Sequence, residues 1–345
     1  MNIFDYINSK EIALYIKGLK EESTLDKQLF PADKQYGMEI ELAKGAKQRP
    51  VALKLSSFDV NVEPRVLKAD VNIEKRDMPF MKESVLVNEK ERQKLMLALQ
   101  ANNDNIVNQI LSTVYSNYKA LVDGAEVQMR RMRAQLLQNG VINISSSDGD
   151  IEVDYNIPSG HKETITTAAK KWNVSTADIM GDITRWQKVL VDEGYGKPPV
   201  LMLTDVCFGY VCTNTAILNA IKGLDTSKVV LPADVKNFLS TKFELTVAVV
   251  NGVFVNEAGS TVSYYEDNKV TLIPRGTLGR TVYGTTPEEA DSIFGSGELD
   301  TQIVNTGVAI TTMVKKDPVN VETKVSQLGM PSFEKADECF FATVY

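Results

Sequence analysis

The sequence predicts an α+β fold organised along one long helix, with strand-forming segments before and after it. The helix is expected to begin after Asn88, because an asparagine followed three residues later by Glu91 is a typical helix start. No proline interrupts the stretch up to Gly140, which is expected to end the helix. The polar residues 102–104 should divide it into a short helix and a long one. One apolar stripe runs along it at spacings of three or four residues, formed by Ile106, Ile110, Val114, Tyr118, Leu121, Ala125, Met129, Met132 and Leu136.

The part of the chain that precedes the long helix is predicted to be an arm followed by a hairpin. The arm, residues 1–46, combines a short amphipathic helix with an alternating strand at 38–42. Residues 47–87 contain two alternating segments around a polar tip, which predicts a long hairpin. An isolated hairpin is only marginally stable in water. This one therefore lies either on the edge of the chain's own sheet or across an adjacent copy.

The rest of the chain is predicted to build an α/β lobe and then to return to the first layer. In the lobe, Thr176 is expected to cap one helix and Pro232 to open another, with a further helix at 206–221 between them. Strand-forming segments occupy much of what remains, at 141–145, 151–155, 200–203, 245–250, 253–255, 262–265, 270–273, 308–314, 319–325 and 339–344. The chain thus leaves a layer of helix and strands, builds a lobe, and comes back to complete the layer.

The composition indicates an ordinary globular protein. The 345 residues are enough for one large domain or two modest ones, and a content of 43% hydrophobic and 24% charged residues is typical of a protein with a real core. Neither a secretory signal nor a stretch of about eighteen apolar residues is visible, so no membrane contact is expected. The formal net charge of -7 argues against a protein that wraps nucleic acid with a basic surface.

The residues that most often carry enzyme chemistry are few, and no catalytic, cofactor-binding or metal site is predicted. His161 is the only histidine and follows Pro-Ser-Gly, so it is expected to be a solvated loop residue without a catalytic partner. Cys207 and Cys212 cannot complete a four-ligand zinc site of the usual spacing with one histidine, and they are expected to be buried thiols. Trp172 and Trp186 are expected in the core. The three cysteines form an odd set that fits a reducing compartment.

Three short motifs point, together with the order of the parts, to a known family. Residues 78–83 followed by 88–91 resemble a junction between an extended loop and a spine helix, and residues 279–284 resemble a turn late in an axial lobe. A closing segment is indicated by Asp317, Pro318, Gln327, Pro331 and Asp337 ahead of residues 340–344. With its arm, hairpin, long helix, lobe and returning strands, the chain resembles the major capsid proteins of tailed phages. The resemblance is to the lambda-type branch of the HK97-like fold.

The resemblance implies a division into an N-terminal arm at 1–46, an extended loop at 47–87, a peripheral domain with the spine helix at 88–175 and 307–345, and an axial domain at 176–306. It implies a major capsid protein, not an enzyme, whose copies form the pentamers and hexamers of an icosahedral head around double-stranded DNA. The implied partners are other copies of the chain, a scaffold protein and a portal protein, with a decoration protein as a further candidate. Contact with packaged DNA would be non-specific, and assembly would take place in the host bacterial cytoplasm.

Two sets of charged residues are candidate contact sites. The resemblance places the hairpin over an adjacent copy, where six charged residues would set the register between copies: Lys54, Glu63, Arg65, Lys75, Arg76 and Asp77. The second set, the densest basic cluster of the chain, consists of Arg130, Arg131 and Arg133. It is either a solvated face of the long helix or an inward patch that contacts DNA or a scaffold.

Two other functions remain open at this point. A shell protein of a bacterial encapsulin-like compartment has the same fold but encloses a cargo enzyme, and the closing segment favours the viral interpretation over it. An oligomeric enzyme built on the α/β lobe would instead need a pocket with converging titratable groups.

Overall fold

A computed structural model describes residues 7–19, 23–44, 72–101, 104–146, 149–225, 227–295, 299–316 and 319–345. The helices are α1 (Ser9–Lys17), α2 (Leu25–Leu29), α3 (Glu89–Gln100), α4 (Asp104–Asn139), α5 (Ile179–Asp192), α6 (Asp205–Thr213), α7 (Thr215–Lys222), α8 (Pro232–Phe243) and α9 (Pro287–Phe294). The strands of the first half are β1 (Ala32–Lys34), β2 (Glu39–Lys44), β3 (Asn72–Asp77), β4 (Phe80–Val87), β5 (Val141–Ser146), β6 (Gly149–Asp154) and β7 (Lys162–Thr164). Those of the second half are β8 (Val200–Leu203), β9 (Thr246–Val249), β10 (Val253–Val255), β11 (Thr261–Ser263), β12 (Lys269–Ile273), β13 (Arg280–Tyr283), β14 (Asp300–Val304), β15 (Val308–Lys316), β16 (Val319–Ser332) and β17 (Phe340–Thr343). Within these residues, no helix is both long and apolar enough to cross a bilayer.

The predicted long helix is present as two helices, α3 and α4. Asn88 caps α3, because its side chain accepts a hydrogen bond from the Glu91 N–H at 3.0 Å. The 36 residues of α4 make it about 54 Å long at a rise of 1.5 Å per residue. It ends before Gly140, whose φ of 68° is the left-handed conformation that favours glycine. Most of the predicted apolar stripe is buried or half-buried, but Ile106 at the start of α4 is exposed.

A six-stranded sheet packs against this helix pair. Its order is β1-β13-β16-β15-β14, and β4 also pairs with β16. The long strand β16 pairs with β15 and β4 on opposite edges and continues into a pairing with β13 at its C-terminal end. Ile310 and Val321 of the sheet share a buried cluster with Val114 and Tyr118 of α4. One core of the subunit therefore lies between the spine helix and this sheet.

The lobe is built on a second sheet, with the order β7-β17-β12-β8-β9. Helices α5, α6 and α8 contribute to its core. Within that core Trp172 stacks on Trp186 with ring centroids 5.6 Å apart, and Trp186 stacks in turn on Phe340 at 5.4 Å. Both tryptophans are fully buried, so the prediction that they belong to the core is confirmed.

Sheet membership crosses the boundaries predicted from the sequence. Strands β13 and β14 belong to the six-stranded sheet, although they lie within the predicted axial domain at 176–306. Strands β7 and β17 belong to the sheet of the lobe, although they lie within the predicted peripheral segments at 88–175 and 307–345. Periodicity can identify a strand but not its partner, so it could not assign these four strands to a sheet.

Three local predictions are wrong. The cap of α5 is Asp178 and not Thr176, because the Asp178 side chain accepts a hydrogen bond from the Gly181 N–H at 2.9 Å. The single helix predicted at 206–221 is divided into α6 and α7 at Asn214. The buried Asn214 side chain accepts a hydrogen bond from the Ile217 N–H at 3.1 Å and donates one to the Ala177 carbonyl at 2.8 Å, so it caps α7 and ties it to the start of α5. Residues 279–284, which resemble a turn, contain β13.

Candidate assembly surfaces

A two-stranded ribbon formed by β2 and β3 is the described base of the predicted hairpin. The strands pair antiparallel over residues 39–44 and 72–77, so the ribbon begins within the segment predicted to be the arm. Residues 45–71, which hold most of the predicted hairpin, lie outside the described residues. The same applies to three of the candidate contact residues, Lys54, Glu63 and Arg65.

The three candidates that the structure describes have different surroundings. Arg76 donates a hydrogen bond from Nη1 to the Glu152 carbonyl of β6 at 2.8 Å, which ties the ribbon to the β5–β6 hairpin of the same chain. Lys75 forms an ion pair with Glu41 across the ribbon at 3.1 Å, and the hydrogen bond that Lys75 donates to the Glu41 carboxylate raises the pKa of Lys75. Asp77 is exposed at the base of the ribbon. Among the three described candidates, Lys75 and Asp77 are therefore the exposed ones.

Arg133 is buried, which corrects the prediction that it faces DNA or a scaffold. The residue is 1% exposed, and its guanidinium donates hydrogen bonds to Asp26 of α2 at 2.7 Å and to Glu126 of α4. A buried charge is stable only when it is paired, so this pairing holds α2 against the spine helix. The spacing of seven residues between Glu126 and Arg133 puts both on one helix face and was visible in the sequence. No pattern in the sequence indicates Asp26.

Arg130 and Arg131 are partly exposed and contact the hairpin of β10 and β11. The Arg130 guanidinium lies 4.5 Å from the centroid of the Tyr264 ring, a cation–π distance. Arg131 donates to Glu257 Oε1 at 2.9 Å and lies 5.5 Å from the Phe254 ring centroid. Sequence reasoning missed Glu257 as a partner. Contact of these two arginines with DNA or a scaffold stays a prediction.

His161 is fully buried, contrary to the prediction of a solvated loop residue. Its Nε2 lies 3.2 Å from Glu193 Oε2, and its ring packs edge-on against Tyr195 with centroids 5.7 Å apart. The histidine lies between β6 and β7, where the chain packs against α5 and the residues that end it. A Pro-Ser-Gly-His sequence indicates a turn but does not show which surface the turn packs on. The burial of His161 could therefore not be predicted from this motif.

The cysteines do not form part of a metal site in the described chain. Cys207 is fully buried, and burial raises the pKa of its thiol to about 12. Because the thiolate is the reactive form, this thiol is inert at neutral pH. Cys212 is only half-buried, so the prediction of buried thiols is confirmed for Cys207 alone. The described residues contain no group of three or more His, Cys, Asp or Glu side chains that could hold a metal ion.

A groove of about 380 Å³ on the lobe is the place where an enzyme site would be sought. It is lined by Thr184, Gln187, Lys188, Val191, Lys197, Lys242 and Phe243. Its titratable groups are all lysines, and Lys197 is already paired with Glu244 at 3.1 Å. General acid–base catalysis needs an acid and a base within reach of one reacting group. This groove does not present that combination.

The whole fold has counterparts among solved structures of phage proteins. A protein described as a capsid protein of a prophage of E. coli CFT073 has a TM-score of 0.62 and 11% identity, over 98% of this chain and 99% of that chain. A phage-related protein of Bordetella bronchiseptica RB50 has a TM-score of 0.51 and 10% identity, over 98% and 97% of the two chains. A chain of the cyanophage A-1(L) capsid has a TM-score of 0.51 and 11% identity, over 92% and 91%. The fold is therefore HK97-like.

The family follows from the sequence. A search of curated proteins finds no match to this chain. The family model described as phage major capsid protein E matches residues 12–344, which include the ribbon, the spine helix, both sheets and the closing strand. The chain therefore belongs to the phage major capsid protein E family, and it is a structural subunit that assembles with copies of itself into the shell of a virion.

Proposed function

We propose that the chain forms the pentamers and hexamers of an icosahedral phage head that encloses double-stranded DNA. The observation that carries this proposal is the family match across residues 12–344, joined to the fold of a prophage capsid protein over 98% of the chain. The ribbon of β2 and β3 supports it, because a thin two-stranded ribbon gains most burial when a neighbouring copy covers it. Lys75 and Asp77 are the described candidates for setting the register between copies.

The lobe and the spine layer have separate roles in this proposal. The lobe, with its own core around Trp186, would cluster at the capsomer axes. The six-stranded sheet and the spine helix would form the peripheral layer, with the N-terminal arm and the extended loop reaching neighbours. Strands β13 and β14 would then belong to the peripheral part, and β17 to the axial part, as their pairing supports.

The proposal includes partners beyond other copies of the chain. A scaffold protein would guide assembly in the host bacterial cytoplasm, a portal protein would occupy one vertex, and a decoration protein is a further candidate. Contact with packaged DNA would be non-specific, because a chain of net charge -7 lacks the basic surface that tight DNA binding needs. Arg130 and Arg131 are the candidates for a salt-sensitive contact with DNA or scaffold. No enzymatic activity is proposed.

Expression of the chain followed by electron microscopy tests the proposal. Closed shells with fivefold and sixfold capsomers are expected, and particles purified from infected or induced cells should protect double-stranded DNA from nuclease. Shells that contain a protein cargo and no nucleic acid would favour the compartment alternative. A small discrete oligomer under every assembly condition would contradict the proposal and favour the enzyme alternative.

A further inference from the structure

One stretch of the lobe carries almost no charge. Between Glu244 and Glu266, Glu257 is the only residue among Asp, Glu, Lys and Arg, whereas 24% of the whole chain is charged. The Glu257 carboxylate is itself paired with Arg131 at 2.9 Å. Residues 245–265 contain β9, β10 and β11. Loss of charged residues is the compositional mark of the centre of a protein–protein interface.

The outer face of the β10–β11 hairpin exposes apolar side chains. Val253 and Val255 are 64% and 63% exposed, and their cross-strand neighbours Ser263 and Thr261 are exposed on the same face. Phe254 points the other way and is buried beside the spine helix. The subunit therefore fixes one face of the hairpin and leaves an uncharged, β-branched face uncovered.

The same hairpin has a strand edge with unpaired backbone groups. The Tyr264 N–H donates to the Gly252 carbonyl at 3.0 Å, and the Asn256 N–H donates to the Ser260 carbonyl at 2.9 Å. In an antiparallel pair, every second residue of a strand directs its N–H and C=O groups to the partner strand. Gly252 and Asn256 do so here, so the N–H and C=O groups of Val253 and Val255 point away from β11. Among the described residues, β10 pairs with β11 alone.

Natural proteins usually protect such an edge. Lysine, proline, a bulge or a covering loop prevents a free strand from pairing with another chain. Strand β10 reads Val-Phe-Val between Gly252 and Asn256 and has none of these side chains. An unprotected edge with exposed β-branched residues is a template for strand addition.

We propose that β10 is extended in the assembled shell by a strand from an adjacent copy of this chain, paired along Val253–Val255. This inference rests on the proposed function. The occupant is another copy because shell assembly brings copies into permanent contact, and because a charged strand would lose its hydration against this face without a counter-charge. Each copy also offers a second strand edge in the same segment, since β9 is the last of the described strands in the sheet of the lobe.

A pair of matched double variants tests whether the outer face is an interface. V253K/V255K places two charges on the face, and V191K/V206K places two charges at valines that are 47% and 46% exposed on α5 and α6. Both variants are expected to fold, with circular dichroism and melting temperature like the wild type. The wild type and V191K/V206K should form shells, while V253K/V255K should reduce the shell yield at least tenfold. Wild-type yield from V253K/V255K would overturn the inference and leave the proposed function intact.

Hydrogen exchange on the unaltered chain tests strand pairing directly. The amides of Val253 and Val255 are expected to exchange at least tenfold more slowly in closed shells than in free subunits, because a new strand would accept their hydrogen bonds. Equal exchange in shells made of this chain alone would overturn the inference, and protection that appears only after a scaffold or decoration protein is added would do so too. If the wild-type chain forms no shell at all, the proposed function itself is contradicted. That result is distinct from shells that form without protection of Val253 and Val255, which would contradict only this inference.

A proline variant separates backbone pairing from side-chain packing. V255P removes the outward-pointing N–H at an edge position where proline is tolerated, and V255T keeps both the N–H and the β-branched shape. V255T is expected to assemble and V255P to fail while its hairpin remains folded. Normal assembly of V255P would exclude strand addition at this edge.

Discussion

Arg133 is a charged residue that stabilises the subunit itself and does not contact a partner protein. Its guanidinium and the Asp26 carboxylate are both almost fully buried, and they lie 2.7 Å apart. The other ion pair of Asp26, with Arg130, is longer. We expect R133M to destabilise the subunit by about 3–5 kcal/mol, because removing one member of a buried pair leaves the Asp26 carboxylate with only the longer ion pair to Arg130, at 3.7 Å. Urea denaturation of the free subunit measures this change.

The neighbouring Arg131 supplies the control for that experiment. Its partner Glu257 is half exposed, so water can replace the contact when it is lost. R131M is therefore expected to change the free energy of unfolding by no more than about 1 kcal/mol. A similar cost for R131M and R133M would contradict a special role for the buried pair.

Two carboxylates near β16 make the stability of the subunit depend on acid. A hydrogen bond from Lys315 lowers the pKa of Glu322. Desolvation acts to raise the pKa of Glu288, but hydrogen bonds from Lys324 and Ser326 outweigh it and the pKa is lowered. A carboxyl group with a lower pKa in the folded state binds fewer protons when folded. Its stabilisation is complete above the unfolded value near 4.5 and is lost as the pH falls through the folded pKa.

The free energy of unfolding should therefore fall as the pH is lowered below about 4.5. In the E288Q/E322Q double variant this acid-dependent loss should be smaller, and the protein should be less stable than the wild type at neutral pH. Urea titrations between neutral and acid pH measure both effects. The same slope in the wild type and the double variant would show that other groups govern acid sensitivity.

At the scale of elements, the spine helix offers a matched pair of glycines, Gly124 inside α4 and Gly140 directly after its end. Gly140 has a φ of 68°, and a Cβ added there would lie 2.5 Å from Ile157 Cγ1, whereas a Cβ at Gly124 would meet nothing within 4 Å. We expect G140A to destabilise the subunit by about 1–3 kcal/mol through backbone strain and this contact. G124A should stabilise it by about 0.5–1 kcal/mol, because glycine inside a helix is costly relative to alanine. Thermal unfolding of both variants gives the comparison, and shifts of the same sign would contradict it.

The elements that could be predicted from the sequence are those whose signal is local. The Asn88 cap, the apolar stripe and Gly140 together predicted the spine helix, and Pro232 predicted the start of α8. The division between α6 and α7 was missed, although an asparagine at 214 is a typical cap. The apolar residues before and after Asn214 keep the same helical spacing, so the segment was predicted as one helix despite this cap.

The contacts that could not be predicted are those that join distant parts of the chain. The burial of Arg133 depends on Asp26, and the burial of His161 depends on the end of α5. The strand character of residues 339–344 predicted β17, but the pairing of β17 with β12 and β7 is set by the tertiary fold. A single sequence contains the residues of such contacts but does not show which of them come together. The family resemblance predicted the order of the elements but not these residue pairs.

At the scale of the whole molecule, a strand from the last part of the chain ties the core of the lobe to the other buried clusters of the subunit. Strand β17, near the end of the chain, lies inside the sheet of the lobe, where β12 pairs with it on one edge and β7 on the other. The Trp172 N–H also donates to the Val344 carbonyl at 2.9 Å. The lobe is therefore not an independent insertion, and its stability depends on residues that follow the spine layer.

We accordingly expect a fragment of residues 176–306 to lack a fixed tertiary structure, because it is missing β7, β17 and the Phe340 side chain that stacks on Trp186. In the full chain, F340A should cost about 3–5 kcal/mol, the range for truncating a large buried aromatic residue. F294A is the matched control, since Phe294 is 78% exposed and its loss should change stability by no more than about 0.5 kcal/mol. Urea denaturation of the full-length variants measures the cost, and near-ultraviolet circular dichroism of the two stacked tryptophans reports on the packing of their lobe. The fragment contains Trp186 but not Trp172, so its own urea denaturation is the test for it. A cooperative unfolding transition of the fragment would mean that the lobe folds by itself and that β17 does not couple it to the rest of the subunit.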